Sequence, residues 1–392
     1  MSEYQYYEFL ALDRPLEARQ QDEVRALSTR ARVNATSFVN EYHWGNFRGD
    51  PDRMMERYYD AHLYLANWGS RRIMFRFPRT LLDLDVAEQY CLNDRVAAWT
   101  ADEFTVLELA SEDDSGEWVE GAEGSLSAIV GVRAEIAAGD LRGLYLAWLA
   151  GYGTWERDEY AFDREHDDEL EPPVPPGLAT LTASQQALAD FLRLDDDLLT
   201  VAATTSPPLQ DATHDPRKLA GWITNLIPPE KDRLLLRVVC DHPATVRAEL
   251  LRRFRGQSTP AVPPVPRRTV ADLLDTAART RAERERRAAA QRADEEARRE
   301  TIRAHARECR LDELAHDEET AWARIDTMIA SRKPGEYDAA VALLTELRAL
   351  AERHGRSEEF TRRCATLHQR HSRKPSLIER FNRAGVGTNH DA

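Results

Sequence analysis

Residues 279–308 read RTRAERERRAAAQRADEEARRETIRAHARE, and this run decides how the rest of the chain is organised. It contains no Pro and no Gly and consists largely of Ala, Arg and Glu, which lose little side-chain freedom in a helix. The segment around it, 268–331, predicts one long charged helix. About 60 residues at about 1.5 Å each would extend about 90 Å. A helix of that length links separate parts of a protein or pairs with a partner.

The two halves of this predicted helix differ in their apolar residues. From Arg279 to Thr301 there is no Leu, Val, Ile or aromatic residue, so this half cannot bury an apolar stripe and should stand in solvent. Apolar residues return in the second half, where they would pack against the C-terminal helices or against a second chain, as a dimer through the long helix. These candidate contact residues are Leu311, Leu314, Trp322 and Ile325.

The composition excludes several classes of protein. A formal net charge of -15 argues against a general nucleic-acid binder, because phosphate binding requires a basic surface. The cysteines are isolated in the sequence, so neither a disulfide framework nor a paired-cysteine zinc motif is expected. The N-terminus does not resemble a signal peptide, and no apolar run is long enough to span a bilayer. We therefore expect a cytoplasmic protein without a membrane partner and without a cofactor.

The N-terminal region, residues 1–155, is predicted to be a small α/β sheet domain. Asp50 followed by Pro51 is typical of a helix start, and the helix is predicted to run to Trp68. Aromatic content and alternation predict strands around it. These strands are Tyr4–Leu12, Ser37–Phe47, Arg71–Phe77 and Phe104–Leu109.

Two breaker segments divide the middle of the chain. Residues 156–176 are acidic and then proline-rich, which predicts a linker without a core. Residues 177–256 predict a domain of short helices, and the prolines in 257–267 predict an extended linker before the long helix. The whole chain is therefore predicted to be α+β: an N-terminal sheet domain, a helical segment, a long charged helix and a C-terminal helical hairpin with a tail at 335–392.

The C-terminal pair of amphipathic helices, 336–355 and 356–372, is similar to a tetratricopeptide-type hairpin over about 40 residues. A single hairpin cannot bury its apolar face alone, so the incoming long helix is the expected third member. The tail carries apolar residues that would dock on the hairpin or on another protein: Leu377, Ile378 and Phe381. The arrangement as a whole is similar to uncharacterised hypothetical proteins of high-GC bacteria, a resemblance that implies no function.

An acid–base site in the N-terminal domain is one candidate for chemistry. Glu41 and His43 lie in a predicted strand, and Asp60 and His62 follow on the predicted helix; a Glu–His pair can serve acid–base chemistry, and a cleft at the end of a sheet often binds a ligand. The alternative is that these residues are the hydrogen-bonded polar tips of a half-buried strand and helix. The sequence contains no phosphate-binding glycine loop, no GxSxG and no HExxH motif.

Arginines interleaved with aromatic residues are candidates for contact with nucleic acid, through charge and stacking. The alternative is a strand with one face in water. The arginines are Arg48, Arg53, Arg57, Arg72 and Arg76.

Cys364, His368 and His371 are the best metal candidates in the sequence. Offsets of four and seven residues place all three on one helical face, and zinc accepts such ligands. The alternative is that Cys364 is a small core residue and the two histidines lie at the rim of the hairpin.

The organisation of the chain favours a scaffold over an enzyme. An exposed long helix and breaker segments suit a non-catalytic cytoplasmic adaptor that joins protein partners through its N-terminal domain and its C-terminal helices. The first alternative is an accessory subunit of a nucleic-acid-processing complex. The second is an enzyme with its site near Glu41 and His43.

Overall fold

A computed structural model of the chain describes residues 3–113, 124–153, 169–209, 216–240, 243–258 and 267–386. The chain divides into two compact units, Met1–Arg284 and Glu285–Ala392. The first contains a sheet of seven strands, and helices make up most of the remaining structure. The predicted α+β class is therefore confirmed.

All pairings in the sheet are antiparallel, and the strand order is β2-β3-β1-β4-β5-β7-β6. The first strand along the chain thus lies between β3 and β4. The strands are β1 (Gln5–Leu10), β2 (Arg32–Val33), β3 (Ser37–Tyr42), β4 (Ala61–Ala66), β5 (Arg71–Pro78), β6 (Val96–Ala101) and β7 (Phe104–Ser111).

Both faces of the sheet are covered. Successive side chains of a strand point to opposite faces, so Tyr6 enters one core and Tyr7 the other. Phe75 joins Tyr6 under a layer of helices, and Met74 joins Tyr7 under a pair of helices. The pair is α1 (Ala18–Arg25) and α2 (Pro51–Arg57), and the layer includes α3 (Leu84–Glu88), α4 (Ser125–Ile129), α5 (Gly131–Ala137), α6 (Arg142–Gly153), α7 (Ala183–Phe191) and α8 (Asp196–Thr205).

The predicted helix start is confirmed, since the Asp50 side chain caps a helix that begins at Pro51, but the predicted end at Trp68 is wrong. Helix α2 ends at Arg57, and AHLYLA at Ala61–Ala66 forms strand β4. Pairing with β1 on one side and β5 on the other decides the conformation of this segment, and such pairing overrides a weak local preference.

The end of the predicted first linker, residues 169–176, packs into the first unit. Glu171 is buried and accepts hydrogen bonds from Nε (2.6 Å) and Nη2 (2.8 Å) of Arg268 and from the hydroxyl group of Tyr145. Leu170 and Thr269 also form an isolated β-bridge. The ion pair neutralises the charge of Glu171, one of the acidic residues that suggested a solvated linker. Residues 154–168 and 259–266, where the rest of the two predicted linkers falls, lie outside the described residues.

The long charged segment forms two helices rather than one. Helix α12 (Val270–His316) has 47 residues, and α13 (Glu318–Ala330) begins after Asp317, whose ψ of 36° is not helical. Two glutamates in the first turn of α13 favour a helix start at this point. Residues 289–310 are all exposed, which confirms the predicted solvent-facing half from residue 289 onward, whereas Thr280, Arg281, Ala282 and Ala288 are half-buried.

The second unit closes its apolar face within the chain. The end of α12 and helix α13 pack with α14 (Pro334–Arg353), α15 (Ser357–Arg370) and α16 (Pro375–Arg383) around one core. The predicted third member of the hairpin is thus supplied by this chain. No helix in the described ranges combines the length and the apolar character that crossing a bilayer requires.

Candidate interaction surface

Asp60 is a structural carboxylate. Its Oδ2 accepts hydrogen bonds from the backbone N–H groups of Leu12 (2.7 Å) and Asp13 (2.9 Å). Its Oδ1 lies 2.7 Å from Nη2 and 3.2 Å from Nε of Arg76, and both side chains are buried. Because all of its oxygens are engaged inside the protein, Asp60 is not placed to move protons for a substrate.

His62 is fully buried beside the smaller core. Its Nδ1 lies 2.9 Å from the carbonyl oxygen of Glu8, and its ring stacks on Phe9 with 3.9 Å between centroids. Burial lowers the pKa of His62 to about 3. Since Nδ1 faces a carbonyl oxygen, it carries the hydrogen, and the ring is neutral near pH 7.

The four predicted acid–base residues are not brought together. Glu41 lies opposite Tyr6 of β1, whereas His62 lies opposite Phe9. Tyr6 and Phe9 point to opposite faces of the sheet, so Glu41 and His62 do as well. Glu41 and His43 are exposed. The alternative interpretation, of polar groups supporting a strand, describes these residues better.

The five candidate arginines do not form one exposed basic surface. Arg72 Nη2 pairs with Asp52 at 2.8 Å and with Glu108, and Arg76 is buried with Asp60. Strand β5 is confirmed, but its predicted wet face is wrong, since every residue from 73 to 77 is buried. The remaining three are exposed: Arg48, Arg53 and Arg57.

The predicted metal residues belong to the core of the second unit and its rim. Cys364 is buried there, and burial raises the pKa of its thiol to about 12, which opposes the thiolate that zinc binds. His368 and His371 are half-buried. In the described ranges, no three or more His, Cys, Asp or Glu side chains converge on a metal position. The alternative interpretation of Cys364 as a small core residue is confirmed.

The candidate partner-binding residues are internal. All seven either belong to the core of the second unit or pack against it, so they hold the chain's own helices together. The buried members are Leu311, Trp322, Ile325, Leu377 and Phe381, and the half-buried members are Leu314 and Ile378.

A different apolar surface lies on the last helices of the first unit. These are α9 (Pro216–Asn225), α10 (Pro228–Cys240) and α11 (Pro243–Ser258). We define the α10 surface as four exposed side chains of α10, which helical spacing places next to one another. They are Leu235 (64% exposed), Leu236 (63%), Val238 (38%) and Val239 (82%).

The opposite side of α10 is fixed on α11. Leu234 is buried, Arg237 pairs with Glu249 at 2.7 Å, and Glu230 pairs with Arg253. The helix therefore cannot turn its apolar side chains inward. Single exposed apolar residues are ordinary, whereas four on one helix face make the α10 surface a candidate for contact with a partner.

The charge around the α10 surface is opposite in sign to that of the whole chain. Helices α9, α10 and α11 contain nine Arg or Lys residues and three Asp or Glu residues, whereas the chain carries a net charge of -15. The exposed members include Lys218, Arg233 and Arg247. The α10 surface therefore belongs to a group of three helices with a net positive charge.

Sequence reasoning predicted short helices across 177–256 and missed this surface. A signal was available, because five of the six residues from 234 to 239 are apolar. A helix turns once in about 3.6 residues, so such a run cannot face a single core.

No family model, no curated protein and no solved structure matches the chain.

Proposed function

We propose that this chain is a non-catalytic interaction protein of the cytoplasm that binds a partner protein through the α10 surface. The observation that carries the proposal is the exposure of four apolar side chains on a helix whose other side is already fixed. The proposal keeps the predicted scaffold role and moves the contact away from the C-terminal helices.

Burial of the apolar side chains of the α10 surface would contribute enough binding free energy for a specific contact. Full burial of Leu235, Leu236 or Val239 would contribute about 1.5–3 kcal/mol each. A few such side chains carry most of the binding free energy of many interfaces. The helix is already folded, so little ordering of this chain opposes binding.

The chemistry of the surface favours an acidic amphipathic helix as the partner segment. Apolar residues of such a helix would cover the α10 surface, and its carboxylates would face the basic groups around it. Lys218 is exposed on α9, and Arg233 is exposed on α10. Complementary charge of this kind speeds association and selects the partner.

Replacing Leu235 and Val239 together with Asp should abolish partner binding. The change places two charges where an apolar contact and an acidic partner are expected. We would purify the tagged full-length chain and the variant from native cytoplasm at several salt concentrations and map contacts by chemical cross-linking. The expected result is a defined protein that cross-links to α10 through an acidic amphipathic segment and is lost from the variant.

Trp44→Ser is the matched control, because Trp44 is 68% exposed and belongs to the sheet region. It should keep the partner, and both variants should unfold at the wild-type temperature. Recovery of the same proteins with the Asp variant would contradict the proposal. Recovery of nucleic acid alone, or self-association that the Asp variant removes, would contradict it too.

A further inference from the structure

A carboxylate lies on the apolar face of α10. Asp232 precedes Leu235, Leu236 and Val239 by three, four and seven residues, a spacing that places helical residues on one face. Helix α10 is continuous over all four residues, and all four side chains are exposed. The helix face that carries the α10 surface therefore also carries one negative charge.

Apolar residues adjoin Asp232 on both sides along the helix. Pro228 and Pro229, four and three residues before it, open α10 and are exposed. The two leucines of the α10 surface follow Asp232 one turn later. A partner that covers this face from Pro228 to Val239 would therefore bury Asp232 near the centre of the contact, where charged residues are rare, and not at its wet rim.

The charge of Asp232 has no partner of its own among the described residues. The ion pairs of α10 in the described ranges use Glu230 and Arg237, which face α11. Lys231 and Arg233 are consecutive with Asp232 and do not face it, and Nζ of Lys231 donates to a backbone carbonyl oxygen at 2.8 Å. Burial of an unpaired carboxylate is strongly unfavourable, so a partner that covers this face must supply a positive group opposite Asp232.

We propose that Asp232 selects the partner of the α10 surface by pairing with one Arg or Lys of the partner segment. This inference rests on the proposed function and specifies the partner further. The partner segment is an amphipathic helix, acidic at its edges, with a single cation among its apolar contact residues. A polar residue within an apolar seam fixes the register of two helices, and it rejects partners that lack the matching group.

Asp232→Asn in the full-length chain tests the proposal, with the protein that cross-links to α10 of the wild type as the probe. Affinity is measured by titration calorimetry of the two purified proteins. The substitution leaves the cation of the partner buried without its counter-ion, so binding should weaken at least about thirtyfold. Asp232→Glu keeps the charge and should retain most of the affinity. Asp94→Asn is the matched control for the loss of one exposed negative charge and should bind like the wild type.

A charge exchange identifies the cation. Each Arg or Lys of the cross-linked partner segment is replaced in turn with Glu, and one of these partner variants should bind Asp232→Arg more tightly than it binds the wild-type chain. Equal binding of Asp232→Asn and the wild type would overturn the proposal, as would a partner segment without Arg or Lys. If Leu235→Asp with Val239→Asp still abolishes binding in that case, the proposed function stands and only the role of Asp232 is wrong. If that double variant binds, or if no partner is captured, the proposed function and this inference are both wrong.

Discussion

Replacing Asp60 with Asn should lower the free energy of unfolding of the first unit by about 3–5 kcal/mol. Asp60 and Arg76 form a buried ion pair, with 2.7 Å between Oδ1 and Nη2 and side chains that are 1% and 6% exposed. Removing the carboxylate charge leaves the guanidinium group of Arg76 buried without its counter-ion. The measurement is urea unfolding monitored through hydrogen exchange of the β1 and β4 amides. These amides report on the first unit alone.

A double-mutant cycle separates the ion pair from the packing around it. Arg76→Met should also be strongly destabilising, because it leaves Asp60 charged and buried. The double variant should be more stable than the sum of the two single losses predicts, since no unpaired charge remains and the amide oxygen of the introduced asparagine can still accept from the N–H groups of Leu12 and Asp13. Additive losses would show that the two charges do not stabilise one another.

The exposed pair Arg32–Glu41 is the matched control for this cycle. Its atoms are 3.0 Å apart, but the side chains are 75% and 40% exposed. Solvent screens such a pair, so Glu41→Gln should change the free energy of unfolding by less than about 1 kcal/mol. An equal loss at Glu41 and Asp60 would contradict the distinction between the buried and the exposed pair.

Properties set by local composition could be predicted from the sequence. The solvent-facing half of α12 follows from a run without apolar residues, whatever surrounds it. Strand β4 could not be predicted in this way, since AHLYLA suits a helix or a strand and its two neighbouring strands decide between them. The same limit applies to Glu171, whose partner Arg268 lies 97 residues away. Composition alone made that segment resemble a linker.

The candidate sites show the same difference between properties that the local sequence sets and properties that distant elements set. Cys364, His368 and His371 share a helix face, as spacing predicts, but that face points to a core that distant helices complete. The sequence predicted Glu41 on a strand and His62 on the helix that follows it. The antiparallel register instead places the two residues on opposite faces of the sheet. Spacing within one element can be derived from sequence. The environment of a side chain depends on elements that the spacing does not specify.

Acid should destabilise the first unit through His62. Burial lowers the pKa of His62 from the ordinary value of 6.5 to about 3 in the folded chain. Below about pH 6.5 the unfolded chain therefore binds a proton that the folded chain does not accept. The contribution of a neutral His62 is complete above that pH, and it falls by about 1.4 kcal/mol per pH unit as the pH drops towards the folded pKa.

His62→Gln should remove this part of the acid dependence, because an amide stays neutral and can still donate to the carbonyl oxygen of Glu8. The measurement is the difference in free energy of unfolding between wild type and variant at pH 7.5, 6.5, 5.5 and 4.5, read from the β1 and β4 amides. The difference should change by less than about 0.5 kcal/mol between the two higher values and should then shift in favour of the variant by about 2–3 kcal/mol in total. A His62 variant that stays parallel to the wild type would show that the imidazole takes up a proton in the folded chain as readily as in the unfolded chain, and the neutral tautomer donating to Glu8 would then be wrong.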